Sequence, residues 1–165
     1  EENDFNVPTP IVLDEKLLVS TENNGTRLYG FDRRGRIEPD PLAVNLDLVP
    51  DTSTPVIADR QLLGSCNYLV CLDLDDNLKT IWLVDEDPFA SYCSFIAGNG
   101  RALAMTQWGI LCLLDTTSKE HRVINRLDLF ADVAHADRDV WSHPALTGNR
   151  LYVRNSLGVY CFLIQ

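Results

Sequence analysis

The sequence has no apolar run near the roughly 18 residues that a membrane-spanning helix requires, so no segment reads as a span. It is short of basic residues: 14 Lys and Arg stand against 24 Asp and Glu, a net charge of −10. Nucleic acid and anionic lipid both demand a cationic face, so neither is expected as the main partner. There is no Cys-x-x-Cys pair, which leaves a zinc ribbon or a thioredoxin-like site without support. The cysteine count of five is odd, so at least one thiol stays free. The opening EENDFNVPTP has neither a basic nor an apolar leader region. It therefore reads as a chain whose export signal has been removed or that begins inside a longer protein.

What the sequence does contain is repetition. TPIVLDEKLLVS from Thr9, TPVIADRQLLGS from Thr54, SFIAGNGRALAMT from Ser94 and HPALTGNRLYVRN from His143 share one grammar. Each has an anchor (Pro10, Pro55, Phe95, Pro144) and a pair seven and eight residues on: Leu17–Leu18, Leu62–Leu63, Ala102–Leu103 and Leu151–Tyr152. Between anchor and pair lie Asp14-Glu15, Asp59-Arg60, Asn99-Gly100 and Gly148-Asn149, largely residue types that favour hairpin turns. An apolar strand follows in each copy: RLYGFD, YLVCLD, GILCLLD and GVYCFL, with small residues at Gly30, Cys71, Cys112 and Cys161. Asp32, Asp73 and Asp115 close the first three, and copy three carries one extra residue before its aspartate.

Anchors are spaced by 45, 40 and 49 residues. That period, with four short strands per unit, suits the blades of a β-propeller. The apolar runs last four to seven residues and break at Asp, Asn and Gly, which excludes a helical solenoid. One segment, Leu127 to Ala136, could instead form a short helix or a helical turn, with Leu127, Phe130 and Ala134 on one face, in the longest repeat where an insertion between blades would sit.

The second repeat, TPVIADRQLLGSCNYLVCLDLDDNLKTIW, resembles the pyrroloquinoline-quinone-like (PQQ-like) repeat. Thr54-Pro55-Val56, Gly64-Ser65, Cys71-Leu72-Asp73 and Trp82 fill the places of that pattern. The resemblance runs from about Pro8 to Gln165, strongest in repeat two and loosest in repeat three. It implies an all-β propeller like that of the quinoprotein alcohol dehydrogenases, with this chain supplying about 3.5 four-stranded blades of a ring of seven or eight. Residues 1–8 are then a linker or the end of a preceding blade. Blades occupy 9–53, 54–93 and 94–142, the last with an insertion, and 143–165 is an incomplete C-terminal blade. The rest of the ring would come from the same chain or a second copy, since unpaired strand edges invite association.

The resemblance implies a non-catalytic scaffold whose loops and central funnel bind a protein or glycan, with no cofactor and no metal. An extracytoplasmic location, periplasmic or secreted, goes with it. The alternative it implies is part of a quinone-dependent dehydrogenase whose cofactor site lies mainly in the missing half, where the tryptophan platform, the disulfide of adjacent cysteines and the calcium-binding carboxylates of such enzymes would be completed. Adjacent cysteines are missing. Trp82, Trp108 and Trp141 are read mainly as packing residues, and Cys71, Cys112 and Cys161 as core residues at one repeated position. Cys66 and Cys93 lie outside that register and could pair.

The acidic stretch Asp73-Leu74-Asp75-Asp76-Asn77 lacks the glycine and glutamate of an EF-hand, so it is expected to be a turn that caps its own backbone. Arg33, Arg34 and Arg36 flank Gly35 in another expected turn. His143 stands where other repeats have Ser or Thr, His121 is isolated, and His135 with Asp132, Asp137 and Asp139 reads as a solvated loop before a metal patch. Ser53, Ser65 and Ser94 have no nucleophile-elbow pattern, so no catalytic residues are assigned.

Overall fold

A computed structural model describes residues 6–164, which form four antiparallel sheets in chain order. The first holds β1 (Ile11–Leu13), β2 (Lys16–Thr21), β3 (Gly25–Tyr29) and β4 (Ala43–Asn45). The second holds β5 (Val56–Ala58), β6 (Gln61–Ser65), β7 (Leu69–Asp73) and β8 (Lys79–Val84). The third holds β9 (Cys93–Gly98), β10 (Arg101–Thr106), β11 (Ile110–Asp115) and β12 (Val123–Asp128). The fourth has three described strands, β13 (Ala145–Thr147), β14 (Arg150–Arg154) and β15 (Val159–Leu163). Each sheet is a blade, and strands within it follow sequence order.

Two-residue loops close all four first hairpins at the expected turn residues. Asp59-Arg60 and Asn99-Gly100 have positive φ at both positions, the geometry whose twist matches flanking strands. The core is divided between blades. Leu18 and Leu28 meet Leu62, Val70 and Leu72 at the first interface. Leu63, Leu69 and Cys71 meet Ala102, Ala104, Cys112 and Leu114 at the second. Met105, Phe130, Leu151 and Val153 belong to the third. Buried side chains from the connections, Leu48, Phe89 and Val140, plug these interfaces in turn. Gly64 makes room for the first plug, since a Cβ there would lie 2.6 Å from a Leu48 methyl.

Among the described residues, two sheet faces have no blade against them. On the first blade Val12 (75% exposed), Leu17, Tyr29 and Val44 point away from the second. On the fourth, Val159, Cys161 and Leu163 point outward, with Val159 70% exposed.

Two sequence expectations change. Leu127 is part of β12 and 56% exposed, Phe130 is buried, and Ala134 is exposed, so the three share no helical face. Pairing of β12 with β11 dictates the strand at the start of the segment, and the helical turn appears at its end, as a 3₁₀ turn at His135–Asp137.

The cysteine register also shifts. Ladder partners Leu18↔Leu28, Leu63↔Cys71, Leu103↔Leu113 and Tyr152↔Cys161 place Leu28 and Leu113, rather than Gly30 and Cys112, beside Cys71 and Cys161. Cys112 pairs with Ala104, one step along, and one step moves a side chain to the other face. Cys71 and Cys112 therefore approach one interface from opposite blades. All five cysteines are free, four of them buried, with Cys161 exposed on the outer face. Burial pushes the Cys71 and Cys93 thiols up to about 12, which keeps them protonated and unreactive.

Candidate functional site

Antiparallel order sends the first and third turns of every blade to one end, and the second turns and inter-blade connections to the other. The first end is occupied with itself. Arg60 holds Asp14 of the neighbouring blade at 3.2 Å and Asp75 at 2.7 Å. Thr116 donates to Asp59, and Gln61 to the Ser118 carbonyl, joining blades two and three. Lys119 caps Asp73 at 2.5 Å and holds that carboxyl below its ordinary range, with the Asp75 amide assisting. The 73–77 stretch is a turn of this end, closed by Leu78 N–H on the Asp73 carbonyl. The Arg33–Arg36 turn closes likewise on Asp32, whose side chain accepts from the Arg34 and Arg36 amides.

His121 also belongs to this end. It lies 5.0 Å from the Trp82 ring and 5.8 Å edge-on to Phe89, with a buried Nε2 that has no hydrogen-bond partner. Trp82 thus packs between blades, as its repeat position implied. Burial holds the His121 imidazole below its ordinary range. The folded state therefore prefers neutral imidazole, while the unfolded chain takes up a proton near the ordinary pKa of about 6.5. The contribution is complete above that pH and is lost as pH falls toward the folded value. Melting temperature is expected to drop over that window, and His121→Phe to flatten the slope. An unchanged slope in the variant would remove His121 from the account.

The opposite end is different in character. Gln107, in the β10–β11 turn, is gripped on both sides: its N–H donates to the Tyr92 carbonyl and its carbonyl accepts from Val140 N–H. This places the connection 129–144 beside the connection 85–92. Trp141 follows Val140 and is 57% exposed, with Tyr92 tilted against it at 5.3 Å and donating from its hydroxyl to the Trp141 carbonyl. The expectation that Trp141 serves packing is met only in part: it packs on Tyr92, while more than half of it is exposed. Trp108, in the same turn as Gln107, lies tilted against the His135 ring at 4.3 Å.

Beside Trp141 is a cleft of about 250 Å³ lined by Asp139, Trp141, Ser142, Arg154, Asn155 and Ser156. The β14–β15 turn supplies Asn155, whose Oδ1 accepts from the Leu157 and Gly158 amides at 2.9 and 3.1 Å. Those bonds fix the amide plane and turn Nδ2 away from the turn, buried and without a partner. The Ser142 hydroxyl is buried and unpartnered too. Asp139 accepts from Gln107 Nε2 at 3.3 Å. Sequence reasoning passed over Asn155, Ser142 and Arg154. The Asn-Ser-Leu-Gly turn was the available sign, since Asn there holds its own backbone and leaves one amide group to spare.

The remaining candidates stay apart. Ser53 and Ser65 donate to the Cys93 and Ser91 carbonyls, and Ser94 is fully buried in β9. His143 is exposed ahead of β13. Among the described residues no group of three His, Cys, Asp or Glu is placed to hold a metal, His135 with its aspartates included. A quinone cofactor does not fit these residues either: Trp82 is packed between blades and no two cysteines are adjacent. No described helix is long and apolar enough to cross a membrane.

No protein-family model and no curated protein matches the sequence. Solved structures do. BamB from Moraxella catarrhalis is 17% identical, with a TM-score of 0.64 over 93% of this chain and 41% of that one. Hsv2 from Kluyveromyces marxianus is 15% identical, with a TM-score of 0.59 over 96% of this chain and 47% of that one. The N-terminal domain of Nup159 is 15% identical, with a TM-score of 0.53 over 88% and 38%. This chain spans less than half the length of each. All three are propellers, and at such identities the likeness is one of fold: the chain is part of a β-propeller.

Proposed function

We propose that this chain is a non-catalytic propeller scaffold that docks a protein partner on the end carrying Trp141. The observation that carries the reading is an exposed indole whose backbone is fastened by Tyr92, beside Arg154. Tryptophan, tyrosine and arginine dominate interface hot spots because they offer large contact area from stiff or planar groups. The opposite end, stitched by its own ion pairs, offers a partner fewer free groups.

The proposal includes repeats of the PQQ-like type, supported by the motif of repeat two, with blades at 9–53, 54–93, 94–142 and 143–165. Further blades would cover Val12 and Val44 at one open face and Val159 and Leu163 at the other, because these apolar side chains are exposed. A location outside the cytoplasm is part of the reading, and burial of four of the five free thiols is compatible with an oxidising compartment.

Affinity capture from the native source, with the wild-type chain and Trp141→Ala compared, tests the docking end. Proteins held by the wild type are expected to be lost from Trp141→Ala and kept by Arg33→Ala, which alters the other end. A tryptophan hot spot is worth about 2 kcal/mol or more, enough to empty the capture. Retention of every captured protein by Trp141→Ala, or oxidation of an alcohol or sugar by the quinone-loaded protein, would overturn the reading.

A further inference from the structure

Charge is unevenly divided between the two ends of the blades. Among the described residues six of the seven ion pairs lie at the stitched end, where cations meet carboxylates. The Trp141 end has one, between Arg138 and Asp128 at 2.9 Å. The three connections at that end, residues 46–55, 85–92 and 129–144, hold eight Asp and Glu and a single cation, the same Arg138. None of the eight has an ion-pair partner among the described residues. Arg154, the last residue of β14, is the other cation near this surface. Like charges left together repel, and their field reaches outward by a Debye length, about 8–10 Å at ordinary salt.

Aromatic rings are set among these carboxylates, which is a separate observation. The Tyr68 hydroxyl donates to the Asp47 carbonyl at 3.0 Å. Burial first, then the Cys66 thiol and the carboxylates of Asp47 and Asp85, push that hydroxyl above its ordinary range. Burial likewise raises Tyr92, with Cys93 and Asp51 adding to it. Tyr92 in turn carries the exposed Trp141, and Asp139 lines the cleft beside that indole. A ring face is the negative side of the aromatic quadrupole, so an indole among carboxylates attracts a cation by its face and by its surroundings. The aliphatic stem of a lysine or arginine also covers the ring.

Resting on the docking end proposed above, we infer that the partner protein presents Lys or Arg side chains to this end, one on the Trp141 indole beside Asp139 and others along Asp51, Asp47 and Asp85. Arg154 is the opposing charge at the cleft, so it holds a cation away from the fourth blade. The basic surface of the partner thus lies over the second and third blades. An acidic or neutral partner would leave the eight carboxylates unmet and gain nothing from their field.

The probes are a capped hexapeptide of alternating Arg and Lys and its neutral counterpart of alternating Gln and Ser. Calorimetry gives their affinities, and the Trp141 indole N–H resonance, which Trp141→Phe identifies, gives the place of binding. The basic peptide is expected to bind, to shift that resonance and to weaken as salt rises, and the neutral one to do none of these. Asp85→Asn combined with Asp139→Asn is expected to weaken it about fivefold, and Trp141→Leu by about as much. Asn at 139 keeps an oxygen for Gln107, and relief of repulsion keeps the melting temperature of this double variant at or above that of the wild type. Glu15→Gln combined with Glu120→Gln removes the same charge from the stitched end and is expected to leave the affinity unchanged. Arg154→Gln is expected to tighten the basic peptide about twofold, whereas it would weaken an acidic ligand. Equal affinity of both peptides for the wild type would overturn the assignment. So would equal weakening by the two charge-removing pairs, or an equal Trp141 shift from magnesium chloride alone. If neither peptide binds while Trp141→Ala still empties the capture, the cationic assignment falls and the docking end stands. If the basic peptide binds as expected and capture ignores Trp141→Ala, the docking end falls and the cationic site stands.

Discussion

Leu62→Ala is expected to destabilise the fold by about 2–5 kcal/mol, the range for removing a fully buried leucine. Leu62 has no exposed surface and lies in β6 between the leucines of blade one and those of its own blade. The loss combines transfer of the missing methyl groups with the cavity they leave. Collapse is hindered because backbone hydrogen bonds hold β6 between β5 and β7, so neighbours cannot close on the gap. Leu83→Ala, on the outer strand of the same blade and half exposed, is expected to stay within about 0.5 kcal/mol. Urea titrations of both variants decide the matter. A Leu62 effect no larger than that of Leu83 would mean that the first interface is not the packed core described here.

The second large effect is expected at Gly25. Its φ is +72°, a conformation that costs other residues about 1–2 kcal/mol. A Cβ there would also meet the Asn45 carbonyl oxygen well inside contact distance, which is backbone and cannot rotate away. Asn45 is a poor residue to push. Its Nδ2 reaches across to the Leu78 carbonyl and Thr80 hydroxyl of blade two, both at 2.9 Å. Its Oδ1 accepts from the Asp47 and Leu48 amides and thereby seats the Leu48 plug. Gly25→Ala is expected to cost about 3 kcal/mol or more, the sum of backbone strain and overpacking. Gly35→Ala isolates the first part: its φ is +74°, with nothing within 4 Å of the added carbon. Equal losses in the two variants, measured by thermal unfolding, would show that the Asn45 contact carries no energy.

Much of the fold was legible because the repeat states its rules locally. Asp59-Arg60 and Asn99-Gly100 mark two-residue turns, and each turn sets the register of its hairpin. The cysteine register was not legible, since copy three can be aligned on Cys112 or on Asp115, and the two choices differ by one residue. Ladder partners resolve it in favour of the aspartate: Gln61 pairs with Asp73 and Arg101 with Asp115. The Leu127–Ala136 segment misled because its spacing suits a helix, while β11 offered Leu127 a strand partner in Leu111. Trp141 was read mainly as a packing residue, yet more than half of it is exposed. Its exposure depends on how Gln107 draws two connections together, and no local pattern encodes that. Asn155 could be expected to hold a turn, and it does so through its Oδ1.

The plugged interfaces lie between consecutive blades, and each gathers residues from its two neighbours alone. Energetically such a chain is a line of nearest-neighbour couplings rather than a single cooperative ball. Among the described blades the second and third are coupled on both sides through separate clusters, so damage at one junction does not have to be felt at the next. A sequence organised this way can gain, lose or exchange a blade by altering only the contacts at one junction. The connections at the Trp141 end can diverge for new partners while the stitched end keeps the blades in line.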